Sequence, residues 1–167
     1  SASQSFIVTV NAVNDAPVAD TASEETSEDQ EVVIALTASD VDGDNLTFSL
    51  GNAPDNGSVV IDGSFATYTP NANYSGSDSF TFIVTDGTLA DSASVTVLVN
   101  AVNDAPVLAS VSDVSFDEDG SGSISISASD VDGDSLTYSI TEGTDIIATL
   151  DGSSVSFSAP ENFNGSE

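Results

Sequence analysis

Two short acidic clusters are the residues of this sequence with the clearest chemical potential. Asp40-Val41-Asp42-Gly43-Asp44 and Asp130-Val131-Asp132-Gly133-Asp134 each place three carboxylates within five residues. Two unit charges about 5 Å apart repel by roughly 3 kcal/mol at an effective dielectric near 20, and a shared cation reverses that repulsion. Calcium takes roughly six to eight oxygen ligands in irregular geometry, so the clusters predict Ca2+ sites. The alternative interpretation is a plain Asp-Gly turn without metal.

The spacing of the clusters does not fit an EF-hand. That motif has Gly at its sixth position and a bidentate Glu at its twelfth. Here Gly stands at the fourth position, and the twelfth positions are Gly51 and Thr141. We therefore expect a calcium loop of another kind.

The charge of the chain excludes several classes of partner. The 167 residues contain 28 Asp and Glu but no Lys, Arg or His, so the formal net charge is −28. Phosphate backbones and anionic membrane surfaces would be repelled, and we expect neither nucleic acid nor such a membrane as a partner. A simpler interpretation of the acidity is solubility in salty surroundings.

The composition also argues against an enzyme. No His, Cys or Lys is present to act as a base or nucleophile near neutral pH, and no basic group is present to stabilise an oxyanion. Two carboxylates can hydrolyse glycosides, but the acidic residues here fall in short loops between predicted strands. We predict a protein without catalytic residues.

An eight-residue segment, Asn-Ala-Val-Asn-Asp-Ala-Pro-Val, occurs at both 11–18 and 100–107. We interpret it as a stiff linker between tandem repeats, because Pro holds the preceding residue extended. We predict the last strand and linker of a preceding repeat at 1–14, a complete repeat at 15–104, and an incomplete repeat at 105–167. The last segment lacks counterparts of 79–89, so we expect an open sandwich unless the chain continues or another copy supplies strands, with 5–10 as a candidate.

Alternating apolar and polar residues predict an all-β fold of tandem immunoglobulin-like, cadherin-like antiparallel β-sandwiches. Turns such as Asp62-Gly63 and Asp86-Gly87 separate the runs. We expect Val32, Ile34 and Leu36 to face inward, or their neighbours if a bulge shifts the register. The seven predicted strands are A at 17–21, B at 31–39, C at 45–50, D at 58–62, E at 65–69, F at 79–85 and G at 93–100.

The topology of such a sandwich brings acidic segments together at each linker. The A–B and E–F loops of one repeat lie at the end that the linker leaves, and the B–C loop of the next repeat lies at the end that it enters. We therefore expect calcium at the seam formed by linker residues 103–106, and equivalent ligands at the preceding linker. The predicted metal ligands are Asn14, Asp15, Glu28, Asp29, Asp40, Asp42, Asp44, Asn73, Asp78, Asn103, Asp104, Asp130, Asp132 and Asp134.

The linker Asn103-Asp104-Ala105-Pro106 resembles the Asp-x-Asn-Asp-Asn-Ala-Pro junction of cadherins, one residue shorter. Asp130 and Asp132 resemble the cadherin Asp-Ala-Asp motif, and Glu28 matches the glutamate near strand A. The cadherin Leu-Asp-Arg-Glu motif has no match, and Asn and Asp stand in the E–F loop instead. The whole chain is similar to cadherin-like repeats of giant bacterial surface adhesins, including those with RTX tails. This resemblance implies secreted or cell-surface extender modules that calcium stiffens.

Aromatic residues near the E–F loop leave a second function open. Tyr68, Tyr74, Phe157 and Phe163 would pack in the core, or would stack on sugar rings if exposed. We therefore keep two alternatives to the adhesin spacer: a calcium-dependent carbohydrate-binding module, and a subunit of an extracellular filament that pairs strands with other copies. The expected partners are the neighbouring repeats, and in the alternatives carbohydrate or further copies.

Overall fold

The computed structural model describes residues 4–167, and its chain divides into two compact units. Unit 1 is Ser1–Val102 and unit 2 is Asn103–Glu167, so the division falls within the second linker. All regular structure in the described residues is β, which confirms the predicted fold class. No helix in that part of the chain is long and apolar enough to cross a membrane.

Unit 1 is a sandwich of a four-stranded and a three-stranded sheet. The first has the order β2-β9-β8-β5 and the second the order β3-β7-β6, while β1 and β4 form a separate pair. Predicted strands B and E therefore share one sheet, as β3 and β7, and predicted strands C, F and G share the other, as β5, β8 and β9. The strands are β1 (Val18–Ala19), β2 (Ala22–Ser27), β3 (Val32–Ala35), β4 (Ala38–Ser39), β5 (Thr47–Leu50), β6 (Gly57–Asp62), β7 (Phe65–Pro70), β8 (Gly76–Thr85) and β9 (Ala90–Asn100).

The core of unit 1 lies between these sheets and follows the period-two pattern of the sequence. Ile34 and Leu36 are buried and Val32 is half-buried, whereas Val33 is 59% exposed. The predicted inward face of strand B is therefore confirmed, without a register-shifting bulge. The other fully buried apolar residues are Ala66, Tyr68, Phe80, Phe82, Val84, Val95, Val97 and Val99.

Strand A departs from the predicted antiparallel pattern because it is divided between two sheets. β1 pairs antiparallel with β4, and β2 then pairs parallel with β9. In a sandwich with one chain reversal per strand, A and G run in the same direction, so A must join G in parallel. At the crossing, Asp91 Oδ2 accepts a hydrogen bond from Ala19 N at 2.9 Å, which satisfies a backbone donor between the two segments.

Unit 2 repeats the three-stranded sheet of unit 1. The order β11-β14-β13 corresponds to β3-β7-β6, and the pair of β10 and β12 corresponds to β1 and β4. Predicted strand C of this repeat, at 136–140, forms no strand, because its counterpart β5 pairs with β8 and unit 2 contains no counterpart of β8. The strands are β10 (Val107–Leu108), β11 (Ser121–Ser125), β12 (Ala128–Ser129), β13 (Ile147–Asp151) and β14 (Ser154–Ser158).

The described residues that precede β1, 4–17, form no strand, although we expected one at 5–10. Phe6, Val8 and Val10 keep the alternating pattern, but they are 86%, 71% and 89% exposed. No strand of the described chain pairs with residues 5–10. Their sequence pattern matches that of β9, but β9 is a strand because β2 and β8 pair with it. The first three residues of the predicted segment 1–14 lie outside the described residues.

Candidate functional site

The B–C loop of unit 1 is built around one carboxylate. Asp40 follows β4, and its Oδ1 accepts backbone hydrogen bonds from Asp42 N at 2.9 Å, Gly43 N at 3.0 Å and Asp44 N at 3.3 Å. Gly43 has φ +79°, a left-handed conformation that closes the turn and that Gly adopts without strain. The Asp-Val-Asp-Gly-Asp sequence thus folds as a loop that wraps its own first side chain.

The first linker lies against this loop and against the F–G loop. Asp15 N donates to Asp42 Oδ2 at 2.8 Å, and Asn14 Nδ2 donates to Asp86 Oδ2 at 2.8 Å. Asp86 belongs to the turn between β8 and β9, where its Oδ1 also accepts bonds from Thr88 N and Leu89 N. These bonds, first of all the one from Asn14, lower the pKa of Asp86 below its ordinary value, so its charge persists.

Three carboxylates converge at this end of unit 1. Asp40, Asp44 and Asp86 each offer one oxygen, and these oxygens all lie within 4.8 Å of one another. Within the described chain, Asp40 Oδ2 is a buried oxygen that has no hydrogen-bond partner. Since the whole chain has no basic side chain, a cation is the group that would offset this charge. The residues fit Ca2+, which prefers carboxylate and carbonyl oxygens.

Two of these three residues belong to the predicted set, and Asp86 was missed. Asp86-Gly87 was interpreted only as a turn between strands F and G. The topology already placed the F–G loop at the same end as the B–C loop, so this acid was a foreseeable third ligand. Sequence spacing alone could not find it, because it lies far along the chain from Asp40.

Unit 2 repeats the same arrangement of linker and loop. Asn103 Nδ2 donates to Asp104 O at 2.8 Å, and Asp104 N donates to Asp132 Oδ2 at 2.7 Å. Asp130 Oδ1 accepts bonds from Asp132 N at 3.0 Å and from Asp134 N at 3.4 Å. The predicted ligands of unit 2 therefore belong to one hydrogen-bonded group: Asn103, Asp104, Asp130, Asp132 and Asp134.

The opposite end of unit 1 carries the predicted A–B and E–F residues. Glu28, only 5% exposed, accepts a bond at Oε1 from Val102 N at 2.6 Å. Asp29 Oδ1 accepts a bond from Asn73 N at 3.1 Å, and both residues have left-handed φ values, 58° and 55°. The structure thus joins Asp29 to Asn73 across the two loops.

This loop-to-loop bond recurs in unit 2. Asn162 N donates to Asp119 Oδ1 at 3.3 Å, and these residues have φ values of 58° and 61°. Residues other than Gly adopt such angles at an energetic cost, which the surrounding structure must offset. The recurrence shows that the A–B and E–F loops are held together by the same device in both repeats.

Asp78, one of the predicted metal ligands, is surrounded by protein hydrogen-bond donors in this structure. It is 6% exposed, and its oxygens accept four hydrogen bonds, so its acceptor capacity is taken up by protein donors. The donors are Asp55 N at 3.2 Å, Asn56 N at 2.9 Å, Ser79 N at 2.8 Å and Tyr68 OH at 2.9 Å. Asp78 fixes the loop that precedes β6. Burial of Tyr68, and then its hydrogen bond to Asp78, raise the pKa of Tyr68.

Unit 2 contains an exposed equivalent of this cap. Glu167 accepts backbone bonds from Thr144, Asp145 and Ile146, in the loop that precedes β13. These bonds lower the pKa of Glu167 to about 2. An acid at this position therefore caps the same loop in both repeats, which supports a structural role for Asp78.

Tyr68 belongs to the core of unit 1, and Tyr74 packs against that core. Tyr68 is 0% exposed, as the packing interpretation predicted, and Tyr74 OH donates to Ser77 O at 2.8 Å near the start of β8.

The contacts within each unit test neither the predicted convergence of acidic segments at residues 103–106 nor the predicted binding of calcium there. Both stay predictions.

Comparison with known proteins gives the family of the chain. A family model described as "Bacterial Ig domain" matches residues 14–99 and again residues 103–167. Chitinase A of Pseudoalteromonas piscicida is 35% identical over 117 residues, which cover 66% of this chain and 14% of the chitinase. The chain therefore spans a small part of that relative.

Two solved structures have similar folds. One is an endo-fucoidan hydrolase of glycoside hydrolase family 107, with 20% identity, 87% of this chain and 24% of that chain covered, and a TM-score of 0.43. The other is the EC1-2 segment of human protocadherin-24, with 14% identity, 88% and 79% of the two chains covered, and a TM-score of 0.43.

Proposed function

This chain belongs to the bacterial Ig domain family, and we propose that its repeats are calcium-stiffened spacers of an extracellular surface adhesin. In this role the repeats hold a binding tip away from the cell, and a metal at each linker fixes the angle between successive domains. The proposal requires a cation site where a linker meets the next domain. It requires no catalytic group.

The observation that carries the proposal is the acidic cluster of unit 1. Asp40, Asp44 and Asp86 bring three oxygens within 4.8 Å of one another beside the first linker, and Asp40 Oδ2 is buried without a partner among the described residues. Three carboxylates at this distance repel one another. A Ca2+ ion held by these three residues would supply the missing positive charge.

The linker contacts explain how such an ion would stiffen the chain. Asn14 and Asp15 bind side chains of Asp86 and Asp42, so the linker is already attached to two loops that carry acidic groups. Neutralising those loops removes the repulsion that would separate them. Because Asp104 and Asp132 repeat the linker contact in unit 2, the same effect is expected at each repeat.

A second candidate function is an accessory module of a secreted polysaccharide-degrading enzyme. The match to a chitinase over 66% of this chain favours it. In that setting the repeats would separate a catalytic domain from a second domain, or would bind carbohydrate themselves. Burial of Tyr68 removes one of the predicted sugar-stacking platforms, which favours a spacer over a carbohydrate-binding module.

Both candidates place the chain outside the cell, where free calcium is abundant. A catalytic role for this chain would gain nothing from the cluster of Asp40, Asp44 and Asp86, because these carboxylates have no basic partner in the sequence. The filament alternative rests on strand pairing between copies. It predicts self-association, which neither spacer role needs.

Calcium titration and a carbohydrate pull-down test the proposal together. The chain is titrated with Ca2+ by calorimetry, and its retention on chitin is measured in calcium and in chelator. We expect saturable calcium binding with a dissociation constant of about 10⁻⁴ to 10⁻³ M, and no retention on chitin. Calcium-dependent retention would select the carbohydrate-binding module, and absence of calcium binding would contradict the stiffened spacer.

A further inference from the structure

Glu28 is a buried acid at the point where the chain leaves unit 1. Among the described residues, only Glu28 and Asp78 are buried and charged, with 5% and 6% exposure. Asp78 caps a loop inside the unit. A buried carboxylate must be hydrogen-bonded to be tolerated, so the partners of Glu28 indicate what it does.

Those partners belong to the start of the linker. The parallel pairing of β2 with β9 ends at Ser27 opposite Asn100, and Glu28 N continues it by donating to Asn100 O at 2.9 Å. The Glu28 side chain then reaches two residues further, where Oε1 accepts a bond from Val102 N at 2.6 Å. Backbone and side chain of one residue thus hold both sides of Ala101.

We infer that Glu28 is a positioning residue that fixes the direction in which the linker leaves unit 1, with or without metal. A short hydrogen bond to a carboxylate acceptor is among the stronger kinds in proteins. Val102 itself is 50% exposed, and its amide donates to this buried acid. Glu28 therefore extends the order of β9 past the end of the strand.

This inference goes beyond the proposed function, because it concerns the chain without calcium. Its consequence for stiffness rests on the proposed function: a linker that is already held loses less conformational freedom when a metal binds. The proposed function gives Glu28 a negative charge near a cation. The inference gives the Glu28 carboxylate a second role, which is to accept the hydrogen bond from Val102 N. This role depends on the length of the side chain.

Two substitutions of Glu28 separate the effect of its side-chain length from the effect of its charge. Glu28→Gln keeps the length of the side chain and an oxygen that accepts a bond from Val102 N, but it removes the charge. Glu28→Asp keeps the charge but shortens the side chain by one methylene, so its oxygen no longer reaches Val102 N. Glu24→Gln is the matched control, because Glu24 is an exposed acid on β2, the strand that Glu28 directly follows.

The test is amide hydrogen exchange of the full chain in chelator, followed by NMR, with the amide of buried Val97 as an internal reference. We expect exchange at Val102 to be at least tenfold faster in Glu28→Asp than in the native chain. In Glu28→Gln and Glu24→Gln it stays within about threefold of native. The inference is overturned if Val102 is unprotected in the native chain, or if Glu28→Asp protects it as well as Glu28 does.

Calcium affinity of the same variants keeps the two proposals distinguishable. If Glu28→Gln weakens calcium binding but protects Val102, the ligand role of the proposed function and the positioning role both hold. If calcium binding is unchanged in Glu28→Gln while Glu28→Asp loses protection at Val102, Glu28 positions the linker without being a ligand. Loss of protection at Val97 together with Val102 in Glu28→Asp would reduce Glu28 to a general stabiliser of unit 1 and overturn the inference.

Discussion

Asp104 donates its backbone N–H to Oδ2 of Asp132 at 2.7 Å, and the same bond joins Asp15 to Asp42 at 2.8 Å. In each repeat, the second acid of the B–C loop therefore holds the acid of the linker that precedes it. This bond orients the linker toward a loop whose first acid, Asp40 in unit 1, has a buried and unpartnered oxygen within the described chain.

Asp86 is expected to be a calcium ligand, although it is absent from the ligand set predicted from the sequence. Asp86→Ala removes one of three carboxylates that lie within 4.8 Å of one another, so we expect calcium affinity of the unit 1 site to fall at least about tenfold, since ligand charge count tunes affinity. Isothermal titration calorimetry of the full chain measures this. Asp62→Ala, at the exposed last residue of β6, is the control and leaves binding unchanged. Equal affinities for the two variants would exclude Asp86 from the site.

Asp78 is expected to matter for stability and not for calcium. Asp78→Ala leaves Tyr68 OH and three backbone N–H groups without their acceptor, which we expect to lower the free energy of unfolding by about 3 kcal/mol. Tyr68→Phe removes one bond only and costs about 1 kcal/mol. Denaturant unfolding in chelator measures both changes. A loss of stability that appears only in calcium would return Asp78 to the predicted ligand set.

Glu167 is expected to titrate well below an ordinary glutamate. Its pKa is lowered from 4.5 to about 2 by the bonds from Thr144, Ile146 and Asp145, so these bonds stabilise the fold fully above pH 4.5. The contribution is lost as the pH falls from 4.5 toward 2. NMR titration of the amides of Asp145 and Ile146 measures it, and Glu167→Gln is the control in which the pH-dependent change disappears. Amides that titrate near pH 4.5 in the native chain would contradict the cap.

The parts of the fold that depend on local pattern could be predicted from the sequence. Alternation placed Ile34 and Leu36 in the core, and the Asp-Gly turns separated the strands of unit 1. Repetition of the Asp-Val-Asp-Gly-Asp loop predicted a structure that occurs in both units. These features depend on period, turn chemistry and spacing, which a single sequence displays directly.

The parts that depend on distant neighbours could not be predicted in the same way. Strand A is divided because its second half finds a partner in β9, and residues 136–140 form no strand because they find none. Asp78 resembled a ligand in the sequence because nothing there shows the donors that surround it. Asp86 became part of the cluster only when the F–G loop was placed beside the B–C loop.

We propose that calcium at the seam formed by residues 103–106 fixes the two units relative to each other. The chain has no Cys, so Ser58→Cys and Ser156→Cys, at exposed positions on β6 and β14, allow one spin label on each unit. Double electron–electron resonance then gives the distribution of distances between the labels, in chelator and in about 10 mM calcium, above the expected dissociation constant. We expect a broad distribution in chelator, a narrow one in calcium, and a broad one in calcium when Asp132→Ala is added. Distributions of equal width in calcium and in chelator would contradict the calcium-stiffened spacer.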